Sequence, residues 1–360
     1  MKKLILLALT LFAYQANATV HTVNNNPNGG STFKQIDEAI AVAVSGDTIF
    51  VQGSVNTYNN FMLTDKKIVF VGPGFAPDKN LPQIATIAGG TIRNTDAAGS
   101  SDGSEFTGLV FNGQLIFFDG FIGSRAVNNI VIKRCVLKTF IYIGSAGGSS
   151  TNFLIESNYF NAGGILGSTG STYSNFIIRN NVFRGASPAI QALSNASDIL
   201  VDHNLFYTNV NVFSACRFFL ITNNIFYKAN AGGGNNAIAL STYTNNIAFN
   251  GANNTPWLDG TNNVNGGGNL GATDPKIVAN TALNADVDNP VLDFSVGAGP
   301  AKNAGSDGKD IGLLFDATGS LNWANARGAR LPFIFSMNIV NPTIAPGVSL
   351  NVEVTAKKQN

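Results

Sequence analysis

Charge is scarce in this 360-residue chain: Asp, Glu, Lys and Arg make up 12% of it and nearly cancel, to a net +1. So neutral a chain projects no field that would gather nucleic acid or anionic lipid, and neither partner is expected. Histidine is almost lacking. His21 and His203 are the only two, and neither lies near a nucleophile elbow, so no Ser-His-Asp arrangement is expected. Cysteine is equally rare. Cys135 and Cys216 fall on repeats about 19 Å apart at the spacing of stacked strands, beyond the roughly 7 Å that a disulfide spans. Both are expected to be buried free thiols. No apolar stretch reaches the roughly 18 residues that cross a bilayer. The apolar run that does occur, Leu4 to Ala13, follows Lys2-Lys3 and precedes Ala16-Asn17-Ala18, the form of a secretory leader over residues 1–18. The mature chain is then expected to begin near Thr19 and to work outside the cell, at its surface or in the periplasm.

What the chain has in quantity is turn-forming: 39 glycines, and asparagine in still larger number. Over residues 129–251 one phrase returns six times, as NIVIKRCVLKT, NFLIESNYFNA, NFIIRNNVFRG, DILVDHNLFYT, FFLITNNIFYK and LSTYTNNIAFN. Aligned on Cys135, Asn158, Asn181, Asn204, Asn224 and Asn246, these recur at intervals of 23, 23, 23, 20 and 22 residues. Such a period means stacked coils, each burying its apolar face on the next. Ile130 and Ile132, Phe153 and Ile155, Phe176 and Ile178, Ile199 and Val201, and Phe219 and Ile221 alternate as an inward face does. The opposite parity, Val131, Leu154, Ile177, Leu200 and Leu220, is apolar too, which predicts a cover of loop or C-terminal chain over that outer face. Asn158, Asn181, Asn204, Asn224 and Asn246 are predicted to form a ladder of amides at a left-handed turn, ending at Cys135. Ile143, Leu166, Ala189 and Val212 mark a further strand column with the same period.

Ahead of the repeats, STFKQIDEAIAVAVSGD predicts a helix over 32–44, with Phe33, Ile36, Ala39, Ile40 and Ala43 at helical spacing. Thr32 and Gln35 are its expected capping box and Gly46 its stop. Behind the repeats, residues 250–290 are irregular, SDGKDIGLLF (306–315) reads as a closing coil, and residues 331–360 hold two alternating strands, 334–340 and 349–356. These predict a β-hairpin laid on the outside, or alternatively a surface-retention element.

The order of that amphipathic helix, then Ser45-Gly46-Asp47-Thr48-Ile49, then Lys66-Lys67-Ile68-Val69-Phe70-Val71-Gly72, resembles secreted right-handed parallel β-helix proteins of the pectin-lyase-like superfamily, with PbH1-type repeats. The likeness covers most of residues 31–315. It implies an all-β fold: a single-stranded right-handed parallel β-helix, or solenoid, of about 23 residues per coil, with three short strands per coil around a narrow apolar bore. The domain is expected over 19–330, with the helix as N-terminal cap and 331–360 as a C-terminal β-hairpin tail. Activity does not follow, since lyases, hydrolases, tailspikes and adhesins share such a scaffold.

Two columns carry candidate chemistry. Lys133, Glu156, Arg179 and Asp202, followed by Thr222 and Thr244, alternate in sign. As structure, exposed pairs of this kind contribute roughly 0.2–1 kcal/mol each and set register. As chemistry, the resemblance implies a lyase in which Glu156 and Asp202 hold calcium or a sugar hydroxyl and Arg179 or Lys133 is the base. VDHN (201–204) looks like part of the Asp-His segment of pectate lyases, but Leu200 stands where its tryptophan would be, and no Arg-x-Pro-x-x-Arg segment supplies that family's base. A hydrolase would need clustered carboxylates, and Asp198 and Asp202 have no partner acid in a neighbouring coil. Asp96, Asp102 and Glu105 share a loop without EF-hand spacing, so no metal site is expected and calcium enters only with the lyase reading. The second column, Lys138, Arg184, Tyr207 and Tyr227, follows inward Leu137, Phe183, Phe206 and Phe226 and so points outward, as a carbohydrate-binding strip. The leading expectation is a secreted, monomeric, non-catalytic scaffold that binds extracellular polysaccharide or surface glycan. A calcium-dependent polysaccharide lyase and a structural surface or adhesion protein are the alternatives.

Overall fold

Short strands separated by single left-handed residues build this molecule. The computed structural model describes residues 18–27, 29–75, 83–95, 99–118, 125–144, 148–185, 188–208, 211–232, 237–260, 262–315, 321–326, 333–339, 349 and 351–357. The expected leader lies outside them, apart from Ala18.

Each coil gives one strand in turn to three parallel sheets, of eleven, nine and seven strands among the described residues. One coil contributes Ser149–Glu156 to the first sheet, Tyr159–Asn161 to the second and Ile165–Leu166 to the third. Its successor pairs in parallel at the expected offset of 23: Phe153 beside Phe176, Phe160 beside Phe183, and, after a longer turn, Ile165 beside Ile190. The result is a mostly β, parallel β-solenoid of about nine turns.

The bend from first to second sheet falls on Arg134, Ser157, Asn180, His203, Asn223 and Asn245, all at φ between 52° and 58°. Asparagine, which tolerates this conformation, holds half of those positions. Beside the bend, Asn158, Asn181, Asn204, Asn224 and Asn246 are fully buried. The amide oxygen of Asn158 accepts from the Cys135 backbone N–H at 3.0 Å, and each later oxygen accepts from the N–H of the ladder residue one coil earlier at 2.9 Å. Each amide nitrogen donates to a main-chain carbonyl, Asn158 to Ile132 and Asn181 to Ile155, so a polar column crosses the interior with its bonds satisfied. One member was not foreseen. Asn269 accepts from Asn246 at 2.9 Å and extends the ladder by a coil, its NGGGNL surroundings lacking the apolar phrase.

Apart from that column the bore is filled by apolar side chains. Phe160, Phe183, Phe206 and Phe226 stack with successive ring centroids 4.4, 4.8 and 5.3 Å apart, each pair contributing roughly 0.5–1.5 kcal/mol beyond area burial. Cys135 and Cys216 are buried and free, and burial pushes both thiols up to about 12.

The N-terminal helix is shorter than expected, Ile36–Val42, and it buries Ile36, Ala39 and Ile40 into the same core as the bore. Its first turn is held differently from the Thr32–Gln35 expectation: the Glu38 carboxylate accepts from the backbone N–H of Lys34 at 2.7 Å and of Gln35 at 3.2 Å.

The expected cover exists, but over another sheet. Ile277, Leu283, Phe294, Val296, Ile311 and Trp323 pack on Tyr159, Val182, Leu205, Tyr207, Ile225 and Tyr227, the outer face of the nine-stranded sheet. The outer side chains of the eleven-stranded sheet stay at the surface, with Leu220 46% exposed. Nor do residues 306–315 form a further coil. They run along the bend, where Gly312 N–H donates to the Asn223 carbonyl and Leu314 N–H to the Asn180 amide oxygen, both at 2.8 Å. His203 sits in the bend column, and its Nδ1 donates to the Gly312 carbonyl at 3.0 Å. Near the C-terminus, Phe333–Ile339 and Val352–Lys357 pair antiparallel; the turn expected between them lies outside the described residues.

Candidate functional site

The strip expected to meet sugar at the surface is mostly under cover. Tyr207 and Tyr227 do point out of the bore, yet they are 0% and 2% exposed. The Tyr207 hydroxyl lies 3.1 Å from that of Tyr159 and donates to the Val287 carbonyl, and Tyr227 donates to the Asn284 amide oxygen at 3.0 Å. Burial pushes Tyr207 up to about 12. Arg184 donates to the Asp286 carbonyl and to the Asn161 amide oxygen, both at 2.8 Å, and its Nε lies 3.1 Å from the Asp286 carboxylate. Arg184 and the tyrosines therefore clamp the covering segment. Lys138 alone of the four is exposed. The physical reason is that Ile277, Leu283 and Phe294 need an apolar bed, and this face supplies one. The signal was those apolar residues scattered through an otherwise irregular stretch.

The charge column is in register as expected, and each member has a neighbour. Arg179 holds the Glu156 carboxylate through Nε at 2.8 Å and Nη2 at 2.6 Å. Lys133 pairs with Glu105 at 2.5 Å, a partner not included in the expected column. Asp202 accepts from the Thr222 hydroxyl at 2.6 Å and from the Asn223 amide at 2.9 Å. Lys133, Glu156, Arg179 and Asp202 thus share one line, but neither cation is free of an acid, as a base needs. Among the described residues no three of His, Cys, Asp and Glu converge to hold a metal ion; Asp96 lies outside them.

The surface that remains open is the outer face of the eleven-stranded sheet. One column runs Asn129, Asn152, Asn175 and Asp198, all exposed and all at φ between 56° and 60°. The Asn152 amide donates to Asn129 at 2.7 Å and the Asn175 amide to Asn152 at 2.6 Å. To one side lie the hydroxyls of Thr151, Ser174 and Ser197, and to the other Leu154, Ile177 and Leu200, then the charge column. Hydroxyl, amide, aliphatic and ionic rows therefore lie parallel at the strand spacing of about 4.8 Å. These residues were not singled out from the sequence, although the signal was present: an Asn or Asp opens four successive phrases, NIV, NFL, NFI and DIL.

The register defines the class of molecule, a parallel β-solenoid with one covered and one open outer face. No protein-family model matches the chain, and no curated protein matches it. Among solved structures, the chain has matches to pectin methylesterases. One is a mutant pectin methylesterase in complex with hexasaccharide IV, at 10% identity and a TM-score of 0.25, over 65% of this chain and 81% of that one. Another is a pectin methylesterase in complex with hexasaccharide VII, at 13% identity and a TM-score of 0.24, over the same shares. A pectin methylesterase from Erwinia chrysanthemi matches at 12% identity and a TM-score of 0.23, over 64% and 80%. The strand register, not this likeness, carries the fold. No helix among the described residues is long and apolar enough to cross a membrane.

Proposed function

We propose that this chain is a secreted, right-handed β-helix scaffold that binds extracellular polysaccharide or surface glycan along its open face without cleaving it. In this reading residues 1–18 are the export leader, 19–330 the solenoid domain with its helix plugging the first coil, and 331–360 a hairpin tail. The observation that supports binding is the exposed amide column Asn129–Asn152–Asn175. It repeats donors and acceptors at one spacing beside an aliphatic row, as a ligand with a polar rim and repeating units requires. Pairing of Arg179 with Glu156 and of Lys133 with Glu105 supports the absence of cleavage. The test is retention of the full chain on immobilised neutral and acidic glycans, with and without the double change Asn152→Ala and Asn175→Ala. Retention that this double variant weakens several-fold is the expected result. Retention on no glycan would overturn the proposal. So would a chelator-sensitive rise in the ultraviolet absorbance of unsaturated uronates in the presence of calcium, which would make the protein a lyase.

A further inference from the structure

The exposed column that reads Asn129, Asn152, Asn175 and Asp198 changes character at its next two members, Phe218 and Leu240. Both keep the left-handed backbone, at φ 61° and 54°. Asparagine and aspartate enter that conformation readily, whereas a bulky side chain does so against its steric preference. Burial does not compensate, because Phe218 is 49% and Leu240 37% exposed. A strained aromatic side chain held in solvent, on a solenoid whose four preceding coils use asparagine or aspartate at the same place, points to a task other than folding.

Phe218 and Leu240 line a groove of about 450 Å³ together with Leu200, Leu220, Thr242 and Asp198. Asp198 is the only charged residue in that lining, and its carboxylate makes no hydrogen bond or ion pair with a described residue. The groove thus offers an aromatic and aliphatic floor, a lone strong acceptor at the rim, and the amide column leading away from it. Strands of this sheet are paired on both sides over these coils, so a peptide that adds as a strand finds no free edge here.

We infer that this groove is the anchor subsite for a neutral pyranose chain, one ring stacking its C–H face on Phe218 while its hydroxyls donate to Asp198 and to the neighbouring Asn175. The inference rests on the glycan-binding reading above and narrows it to uncharged sugars. Hydroxyl donation to an ionised carboxylate is charge-assisted and strong. A uronate would instead set its own carboxylate against Asp198, and no cation lines the groove to offset the repulsion.

The experiment is affinity electrophoresis of the full chain in gels containing a neutral β-glucan, a mannan or polygalacturonate. Wild type, Phe218→Asn, Asp198→Asn and the Asn152→Ala/Asn175→Ala double variant are compared, with circular dichroism confirming the fold of each. Phe218→Asn restores the residue type of the earlier coils, so a folded variant is assured a suitable backbone. The expected result is retardation by a neutral glycan that Phe218→Asn weakens about tenfold, that Asp198→Asn also weakens, and that polygalacturonate does not match. Retardation by polygalacturonate alone, or by a neutral glycan with Phe218→Asn indistinguishable from wild type, overturns the subsite and leaves glycan binding standing. Retardation by no glycan overturns both.

Discussion

On the nine-stranded sheet, Leu205, Tyr207 and Tyr227 are sealed beneath residues 277–313 and Trp323, whereas on the eleven-stranded sheet Leu200, Leu220 and Phe218 meet solvent. Both faces are built from outward-pointing residues of the same coils, and both are rich in apolar side chains. Hydrophobicity therefore does not decide which is covered. The difference lies in what each face offers at its margins. Beside the tyrosines stand Asn161, Arg184, Thr208 and Lys228, and these bond to Asp288, Asp286 and Asn284 of the covering segment. Along the open face the corresponding polar groups, the amide column and the Arg179–Glu156 pair, bond to one another. Along the Asn129–Asn175 stretch the edge groups bond first to one another, and among the described residues no covering segment bonds to them.

The comparison breaks most severely if the cover is loosened. Phe294 is buried, with its ring centroid 6.2 Å from that of Tyr207 and 6.0 Å from that of Trp323. Phe294→Ala should cost about 3–5 kcal/mol in urea unfolding. Tyrosine ultraviolet titration then gives a second readout. Burial raises Tyr207 from 10.0 to about 12, so its contribution to stability is whole below pH 10 and is lost as pH climbs through 12. The variant should lower that tyrosine's midpoint and narrow the window of alkaline loss. A matched pair sharpens the contrast. Leu205→Ala, under the strap, is expected to cost about 2–5 kcal/mol, and Leu200→Ala, on the open face, about 1 kcal/mol or less. Equal costs would mean that the open face is covered in solution.

Strain supplies a change of opposite sign. Phe218→Asn should raise stability by about 1 kcal/mol, because asparagine accepts the left-handed backbone that phenylalanine resists; a loss of stability would show that Phe218 is packed. The smallest effect concerns the bore, which underlies both faces. Cys135 and Cys216, with thiols pushed up to about 12, should remain unlabelled by a thiol reagent at neutral pH until global unfolding. Labelling of folded Phe294→Ala would show that strap and bore open together.

The solenoid was legible because one coil resembles the next: the alternation around Phe153, Phe176 and Ile199 and the amides at Asn158, Asn181 and Asn204 repeat with the geometry they form. The site was less legible for a reason visible in Tyr207 and Leu200. Parity states whether a side chain points into the bore or out of it, but exposure depends on a segment some 80 residues away along the chain, as the contact between Tyr207 and Val287 shows. Phe218 was missed because its significance lies in a backbone angle, which residue type alone does not disclose. Lys133, Glu156, Asp202 and Thr222 were legible with Arg179 as a column, and what the spacing could not say was which neighbour each charge would choose.

The asparagine ladder also gives the stack a direction in time. Each ladder residue passes its backbone N–H to the amide of the following coil, from Cys135 to Asn158 and onward to Asn269. On this one bond a coil is completed by its successor, while the same amide's nitrogen reaches back to a carbonyl of its predecessor. For a chain emerging from the ribosome N-terminus first, every new coil closes the ladder N–H left open by the last as it pairs with the exposed strand edges. The same asparagine thus joins three coils, accepting from the one before it, donating to that coil's carbonyl, and handing its own backbone N–H forward to the next.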